Sequence, residues 1–192
     1  MAMQENLYII IDHSDSMKGQ GIGSANDIAA NIALHFRDTI ESTPFASGSV
    51  KVISVGNNAQ LIANTDALSF VWSDVLGNGL SNIGEAYDIL NSSIDEFSNN
   101  IVVLISDGGF TDEYVASLAS LMDTPAFIDA TRISVAVGAN YDAEQLEYFC
   151  GIPYNLVTAD DIDKVMNMIS NSLWQSPNIA DIEDVDSSDN WD

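Results

Sequence analysis

The chain has 192 residues, 46% of them hydrophobic, a single cysteine, and 29 acids against 5 bases, for a formal net charge of −24. Charged residues make up only 18%, below the roughly 25% of an ordinary domain, so the acidity comes chiefly from missing bases. Five cations cannot build the basic stripe that nucleic acid or an anionic membrane surface requires. A lone Cys150 excludes an intramolecular disulfide framework and a multi-cysteine zinc site. Residues 1–6 carry no cationic leader pattern, and no apolar run approaches membrane-spanning length. The expectation is a soluble, cytoplasmic protein, monomeric in isolation, with neither nucleic acid nor membrane as partner.

In chain order, short apolar runs alternate with longer segments of helical period, the pattern of a layered α/β fold. Residues 7–11 read as a strand that stops sharply at Asp12. Across 21–40, Ile22, Ala25, Ile28, Ala29, Ile32, Ala33, Phe36 and Ile40 form one helical stripe. Residues 50–55 read as a second strand, and 59–63, after Gly56-Asn57-Asn58, as its hairpin partner. A second helix is expected to bury Ile83, Ala86, Tyr87, Leu90, Ile94 and Phe97. Residues 101–105 are apolar at every position, as a central parallel strand covered on both faces should be.

A helix over 112–122 and a strand over 133–137 follow, then a short helix over 142–149 and a last strand over 154–157. Asp160 or Asp161 is expected to cap a closing helix that buries Ile162, Val165, Met166, Ile169 and Leu173 and ends by Pro177. From 176 onward the chain carries six acids and no base. The expected organisation is one domain over 1–175 and an acidic, solvated tail over 176–192. Without the tail the body still carries close to −18, so the tail does not account for the imbalance.

The chemistry sits where strands end. The first strand runs into Asp12-His13-Ser14-Asp15-Ser16, and the all-apolar strand runs into Ser106-Asp107-Gly108-Gly109. In an open parallel sheet, loops at the carboxyl ends of the strands form the ligand crevice where strand order reverses. If these two strands are neighbours, Asp12 and Asp107 share that crevice with the hydroxyls of Ser14 and Ser16, and a third loop brings Ser81. Oxygen ligands without Cys or His suit a hard cation, Mg²⁺ first, with Mn²⁺ or Ca²⁺ as alternatives. Two carboxylates just balance such an ion and leave it able to accept another acidic ligand. Asp15 and Asp112 are expected to crowd the same crevice.

In order and spacing, Asp12-x-Ser14-x-Ser16, Ser81 and Asp107-Gly108 resemble the metal-ion-dependent adhesion site of von Willebrand factor A domains. The similarity is nearest to the bacterial tellurite-resistance TerY-like branch, through segments such as 104–112 (Leu-Ile-Ser-Asp-Gly-Gly-Phe-Thr-Asp) and 132–139 (Arg-Ile-Ser-Val-Ala-Val-Gly-Ala). The resemblance implies a three-layer Rossmann-like α/β fold with strand order 3-2-1-4-5-6, mostly parallel, with one short antiparallel strand. It also implies that Ser14, Ser16 and Ser81 coordinate the metal, with Asp12 and Asp107 bound directly or through water. An Asp or Glu from a protein partner then completes the coordination. Two positions depart from the pattern: Ser81 stands where the family usually has Thr, and Asp15 where it often has Gly. A carboxylate at 15 either raises cation affinity or repels the incoming acid.

The rival reading is an enzyme. Haloacid-dehalogenase-like phosphatases also place an Asp at the end of an apolar strand, which would make Asp12 a nucleophile. They need a proton donor two residues later, where this chain has Ser14, a poor acid at neutral pH. A third reading keeps the metal as a purely structural ion. His13 reads as a solvent-facing loop residue, His35 as helix packing and Cys150 as a core thiol. Gly19-x-Gly21-x-Gly23 misses the dinucleotide-loop spacing and follows no strand directly.

Overall fold

A computed structural model describes residues 3–77 and 79–174. Six strands form one sheet in the order β3-β2-β1-β4-β5-β6. They are β1 (Met3–Asp12), β2 (Ala46–Val55), β3 (Ala59–Asp66), β4 (Asn99–Ser106), β5 (Thr131–Ala136) and β6 (Leu156–Thr158). All neighbouring pairs are parallel except β2 with β3, which is antiparallel with a register shift at Val52/Ile53. The expected fold class and strand order are both present.

Alternation along the central strands sorts the core into two layers. Leu7, Ile9 and Ile11 of β1 face one way, with Ile101, Val103 and Ile105 of β4. Helices α1 (Gln20–Ser42) and α6 (Ile162–Trp174) cover that face through Ala25, Ile32, Phe36, Val165 and Ile169. Tyr8 and Ile10, with Val102 and Leu104, face the other way. There α2 (Ile83–Ser93), α3 (Val115–Met122) and α5 (Ala143–Cys150) bury Tyr87, Leu90, Leu118, Leu121, Leu146 and Phe149. A one-turn helix, α4 (Pro125–Ile128), adds Phe127. Both faces of β4 are therefore dry, which explains its uninterrupted apolar sequence. His35 reaches from α1 to the Met166 carbonyl and the Ser170 hydroxyl of α6, and Cys150 is a buried free thiol.

Several boundaries differ from expectation. Helix α2 ends at Ser93, and Phe97 lies beyond it, 95% exposed. Helix α3 starts at Val115 rather than at 112. Asp160 and Asp161 belong to the 3-10 turn Ala159–Asp161 that leads directly into α6. Tyr154 lies in another such turn, Pro153–Asn155, so the last strand starts later than expected. The acidic segment 176–192 lies outside the described residues. Among the described residues no helix is long and apolar enough to cross a membrane.

Polar groups tie the lower half of the sheet to α2. The Tyr8 hydroxyl donates to the Ser93 carbonyl (2.9 Å) and accepts from Lys51 Nζ (2.8 Å) and the Asp95 N–H (3.2 Å). Burial pushes the Tyr8 hydroxyl up to about 12 from 10.0. Between those values the unfolded chain sheds a proton that the native state keeps, so Tyr8 costs stability as pH rises through the window. Tyr8→Phe is expected to lose about 1–2 kcal/mol at neutral pH through the missing hydrogen bonds. It should also lose less than the parent between pH 10.0 and about 12. Urea titrations at both ends of that window read the difference.

Candidate metal site

Register puts the two key loops side by side. Ile11 pairs with Ile105, so Asp12 and Ser106 end adjacent parallel strands. From β1 the chain proceeds to β2 and β3 on one side, and from β4 to β5 and β6 on the other. The β1/β4 seam is thus the point where strand order reverses, and its carboxyl end opens a crevice.

Asp12 lies at the base of that crevice, fully buried. One carboxylate oxygen, Oδ1, accepts the Ser14 N–H (2.9 Å). The other accepts the Ser81 hydroxyl (3.0 Å) and the Ser106 hydroxyl (2.8 Å). Burial raises the Asp12 carboxyl above its ordinary value, and the hydrogen bonds from Ser14, Ser106 and Ser81 oppose that rise. The ionised form is therefore held by the fold at a cost that a nearby cation would offset.

Above Asp12, the Ser14 and Ser16 hydroxyls lie 3.0 Å apart. Ser14 is buried and Ser16 exposed. Asp107 is half-buried, and one of its oxygens accepts the Gly109 N–H (2.9 Å). A Cβ on Gly109 would stand 3.0 Å from Asp107 Oδ1 and 3.5 Å from Ser16 Oγ, so only a glycine-sized residue separates the two. Ser16 and Asp107 line a cleft of about 370 Å³ together with Lys18, Gly21, Val137 and Asn140. The structure thus draws Asp12, Ser14, Ser16, Ser81 and Asp107 to one end of the β1/β4 seam.

Backbone clamps hold these loops to one another. Asp15 N–H donates to the Gly79 carbonyl (2.7 Å), and the Gly79 N–H returns a bond to Asp15 Oδ1 (2.7 Å). Lys18 Nζ also sits 2.8 Å from that oxygen. Lys18 first, then the Gly79 N–H, hold the Asp15 carboxyl below its usual range. Asp15 is therefore engaged in pinning the first loop to the second rather than crowding the crevice. Gly79 has φ +78, a conformation that glycine adopts without penalty.

Asp112 is also engaged elsewhere. Its Oδ2 accepts the Gly84 N–H (2.7 Å) in the first turn of α2. Beside it, Thr111 exchanges bonds with Ser81: the Ser81 N–H donates to Thr111 Oγ1 (3.0 Å) and the Thr111 N–H to the Ser81 carbonyl (3.0 Å). At the far side of this loop the Asp107 carbonyl accepts the Asp142 N–H (2.7 Å), which leads into α5. The clamping roles of Thr111 and Asp112, and the bond from Ser106 to Asp12, were not expected from sequence. His13 is half-buried rather than solvent-facing, and its Nδ1 is buried without a hydrogen-bond partner among the described residues.

Among the described residues, no group of three or more His, Cys, Asp and Glu is placed to hold a metal ion. Any cation here would rely on hydroxyls for most of its protein ligands. The family model of the von Willebrand factor type A domain matches residues 6–171. The chain belongs to that family. Comparison with curated proteins returns no match.

Among solved structures, the von Willebrand A chain is similar to an aerotolerance-related membrane protein from Bacteroides fragilis, with TM-score 0.64 and 16% identity over 89% of this chain and 99% of that one. It is also similar to proximal thread matrix protein 1 from the mussel byssus, with TM-score 0.63 and 13% identity over 89% of this chain. The present chain spans only 46% of that mussel protein. Another structure of the mussel protein, described as having a zinc-occupied MIDAS motif, matches with TM-score 0.57 and 13% identity, covering 90% of this chain and 46% of that one. At these identities the likeness is one of fold.

Proposed function

We propose that this von Willebrand A domain is a non-catalytic interaction module that holds a divalent cation, Mg²⁺ in the first instance, between Asp12, Ser14, Ser16, Ser81 and Asp107. The observation that carries this reading is a pair of spacings. Ser14 Oγ and Ser16 Oγ are 3.0 Å apart, and Ser81 Oγ is 3.0 Å from Asp12 Oδ2. Both are hydrogen-bond distances close to the roughly 2.9 Å that separates neighbouring ligands of an octahedral ion with bonds of about 2.0–2.1 Å, so these oxygens would need little movement to face one. Three neutral hydroxyls and two carboxylates form a hard-oxygen set with no charge to spare. A bound ion would be electrophilic and would favour an Asp or Glu from a protein partner in its open position. The mussel structure with a zinc-occupied MIDAS motif supports the site, and leaves the choice of metal to measurement.

Asp12 does not suit the phosphatase alternative. A phosphatase of that type needs an acid two residues after the nucleophile to protonate the leaving group, and this chain has Ser14 there, a poor proton donor at neutral pH. Residues 104–112 and 132–139 support a TerY-like assignment. With it, the proposal takes in a cytoplasmic setting and a bacterial stress-response or phospho-signalling role. Calorimetric titration of Mg²⁺ into the parent should give a saturable heat, and Asp107→Ala should bind at least about 10-fold more weakly, a loss near 1.4 kcal/mol. Equal, negligible heats with both proteins would sink the metal reading.

A further inference from the structure

The amino end of the sheet, opposite the crevice, presents two phenylalanines to solvent. Phe45 is 88% exposed and Phe97 95%, the highest values among the large hydrophobics of the described residues. Register sets them near each other. Gly48 of β2 and Asn99 of β4 both pair with Glu5 of β1, from its two sides. Phe45 and Phe97 precede those residues by three and two positions. Both therefore overhang the same edge, ahead of strands about 10 Å apart.

Neither ring is on a loose loop. In the turn before β2, the Ala46 N–H donates to the Thr43 carbonyl (3.2 Å), with Pro44 second and Phe45 third at φ +64. The third position of such a turn ordinarily takes Gly, because a Cβ there crowds a carbonyl oxygen. Phe45 thus strains the backbone and buries almost nothing in return, a combination that folding alone does not favour. Before β4, the Phe97 N–H donates to Asp95 Oδ1 (2.8 Å). Asn100 Nδ2 donates to the carbonyls of Asp95 (2.7 Å) and Ser98 (3.1 Å), and the Asp95 N–H donates to the Tyr8 hydroxyl (3.2 Å). Asn100 and Tyr8 are buried, so the turn that holds Phe97 outward is fastened to the core. Rings fixed in this way lose little freedom on binding.

Charge says what the rings fit. Phe97 lines a cleft of about 330 Å³ with Glu96, Asn99, Pro125 and Asp129, and among the described residues no base lines it. Glu96 and Asp129 are exposed, as are Glu41, four residues before Phe45, and Asp66 at the end of β3. The ion pairs among the described residues, Lys18–Asp15 and Arg37–Asp38, involve none of these four acids. A guanidinium can lie on a phenylalanine face while its N–H groups reach a carboxylate. A second copy would bring the same acids, and an anionic membrane would be repelled. We propose that this end of the domain docks a basic protein segment, with Phe45 and Phe97 as apolar anchors and a partner arginine in the cleft beside Glu96 and Asp129. The inference does not depend on the metal reading and leaves the crevice at the other end of the sheet free.

Amide NMR of the full chain at physiological salt, titrated with a short peptide of alternating arginine and leucine, tests it. Saturable shifts are expected at amides 43–47, 95–99 and 126–129, and none at 12–16. Phe45→Gly combined with Phe97→Ser should weaken binding at least about 10-fold. Phe45→Gly alone should melt at or above the parent's temperature, because it relieves the turn; a lower melting temperature would make the ring structural and overturn the proposal. Absence of shifts at millimolar peptide would also overturn it, as would shifts spread over the acidic helices and unchanged in the double variant. So would equal binding of a peptide with glutamine in place of arginine. Shifts at the same amides that grow with protein concentration alone would identify a second copy as the occupant and overturn it too.

Discussion

Asp12→Asn is expected to weaken Mg²⁺ binding by at least about 100-fold, close to 2.7 kcal/mol, while leaving the metal-free protein as stable as the parent or more so. The two signs have one origin. Asp12 is fully buried, and burial raises its carboxyl, so the fold accommodates the ionised form at a cost. An amide of the same shape removes that cost, and the Ser81 hydroxyl can turn to accept its N–H. What disappears is one of the two formal charges facing the ion. If Asp12 served only as an acceptor for Ser14, Ser81 and Ser106, the amide would lower metal-free stability and Mg²⁺ would change nothing. Calorimetry gives the affinity. Thermal melts with and without Mg²⁺ give the stability, because ligand at 100 times its dissociation constant stabilises the native state by about 2.7 kcal/mol. A variant that binds Mg²⁺ like the parent removes Asp12 from the site.

The clamps bear on how such a site remains ordered without an ion. Neighbouring hydroxyls and carboxylates repel or collapse unless their backbone is fixed from outside. Here the first loop is tied to the second through Asp15 and Gly79, the second to the third through Ser81 and Thr111, and the third to α2 through Asp112 and Gly84. A Cβ at Gly84 would come within 2.8 Å of Asp112 Oδ2 and 3.1 Å of the Tyr114 Cα, so the last clamp closes only over glycine. The departure at Asp15 has a structural meaning. Its charge is spent on Lys18 and a backbone N–H, which leaves Asp12 and Asp107 to face a cation. On the proposed reading, a partner's acid would meet less repulsion than the count of acids in these loops suggests.

Asp12 and Asp107 were legible because each ends an apolar strand, and chain order alone places strand ends at the crevice. Ser106 was silent, since a serine after five apolar residues reads as a boundary; only the Ile11–Ile105 register sets it against Asp12. Asp112 was misread for a physical reason. Sequence alone makes it the first residue of the helix over 112–122 and one of the acids crowding the crevice. Instead its carboxylate serves α2, 28 residues earlier, a tertiary bond with no local signature. Phe97 fitted the period of α2, but that helix stops at Ser93. Periodicity marks which residues would share a face and says nothing of where the chain must turn into the next strand.

Phe149→Ala should be the most damaging single change to the folded body. Phe149 is fully buried on α5, stacked on Tyr87 at 5.7 Å between centroids and 13° between planes. Phe127 meets it from another side at 5.6 Å. Truncation removes a large apolar surface from the core and leaves a cavity that three elements would have to move to fill. Changes of this type cost about 3–5 kcal/mol, a large part of the ~5–15 kcal/mol that holds most domains together. For a chain of this size each kcal/mol lowers the melting temperature by about 2–4 °C, so a fall of roughly 6–20 °C is expected. The effect should extend to the crevice. Burial first, then Tyr114, Asp112 and Asp12 nearby, raise the Tyr87 hydroxyl, so this ring lies close behind the crevice and loss of its stacking partner is expected to loosen that region. Mg²⁺ affinity should therefore fall as well, by less than in Asp12→Asn. If calorimetry of the folded variant gives the parent's affinity despite the lower melting temperature, the core and the crevice are energetically independent, and the clamps alone set the geometry of the site.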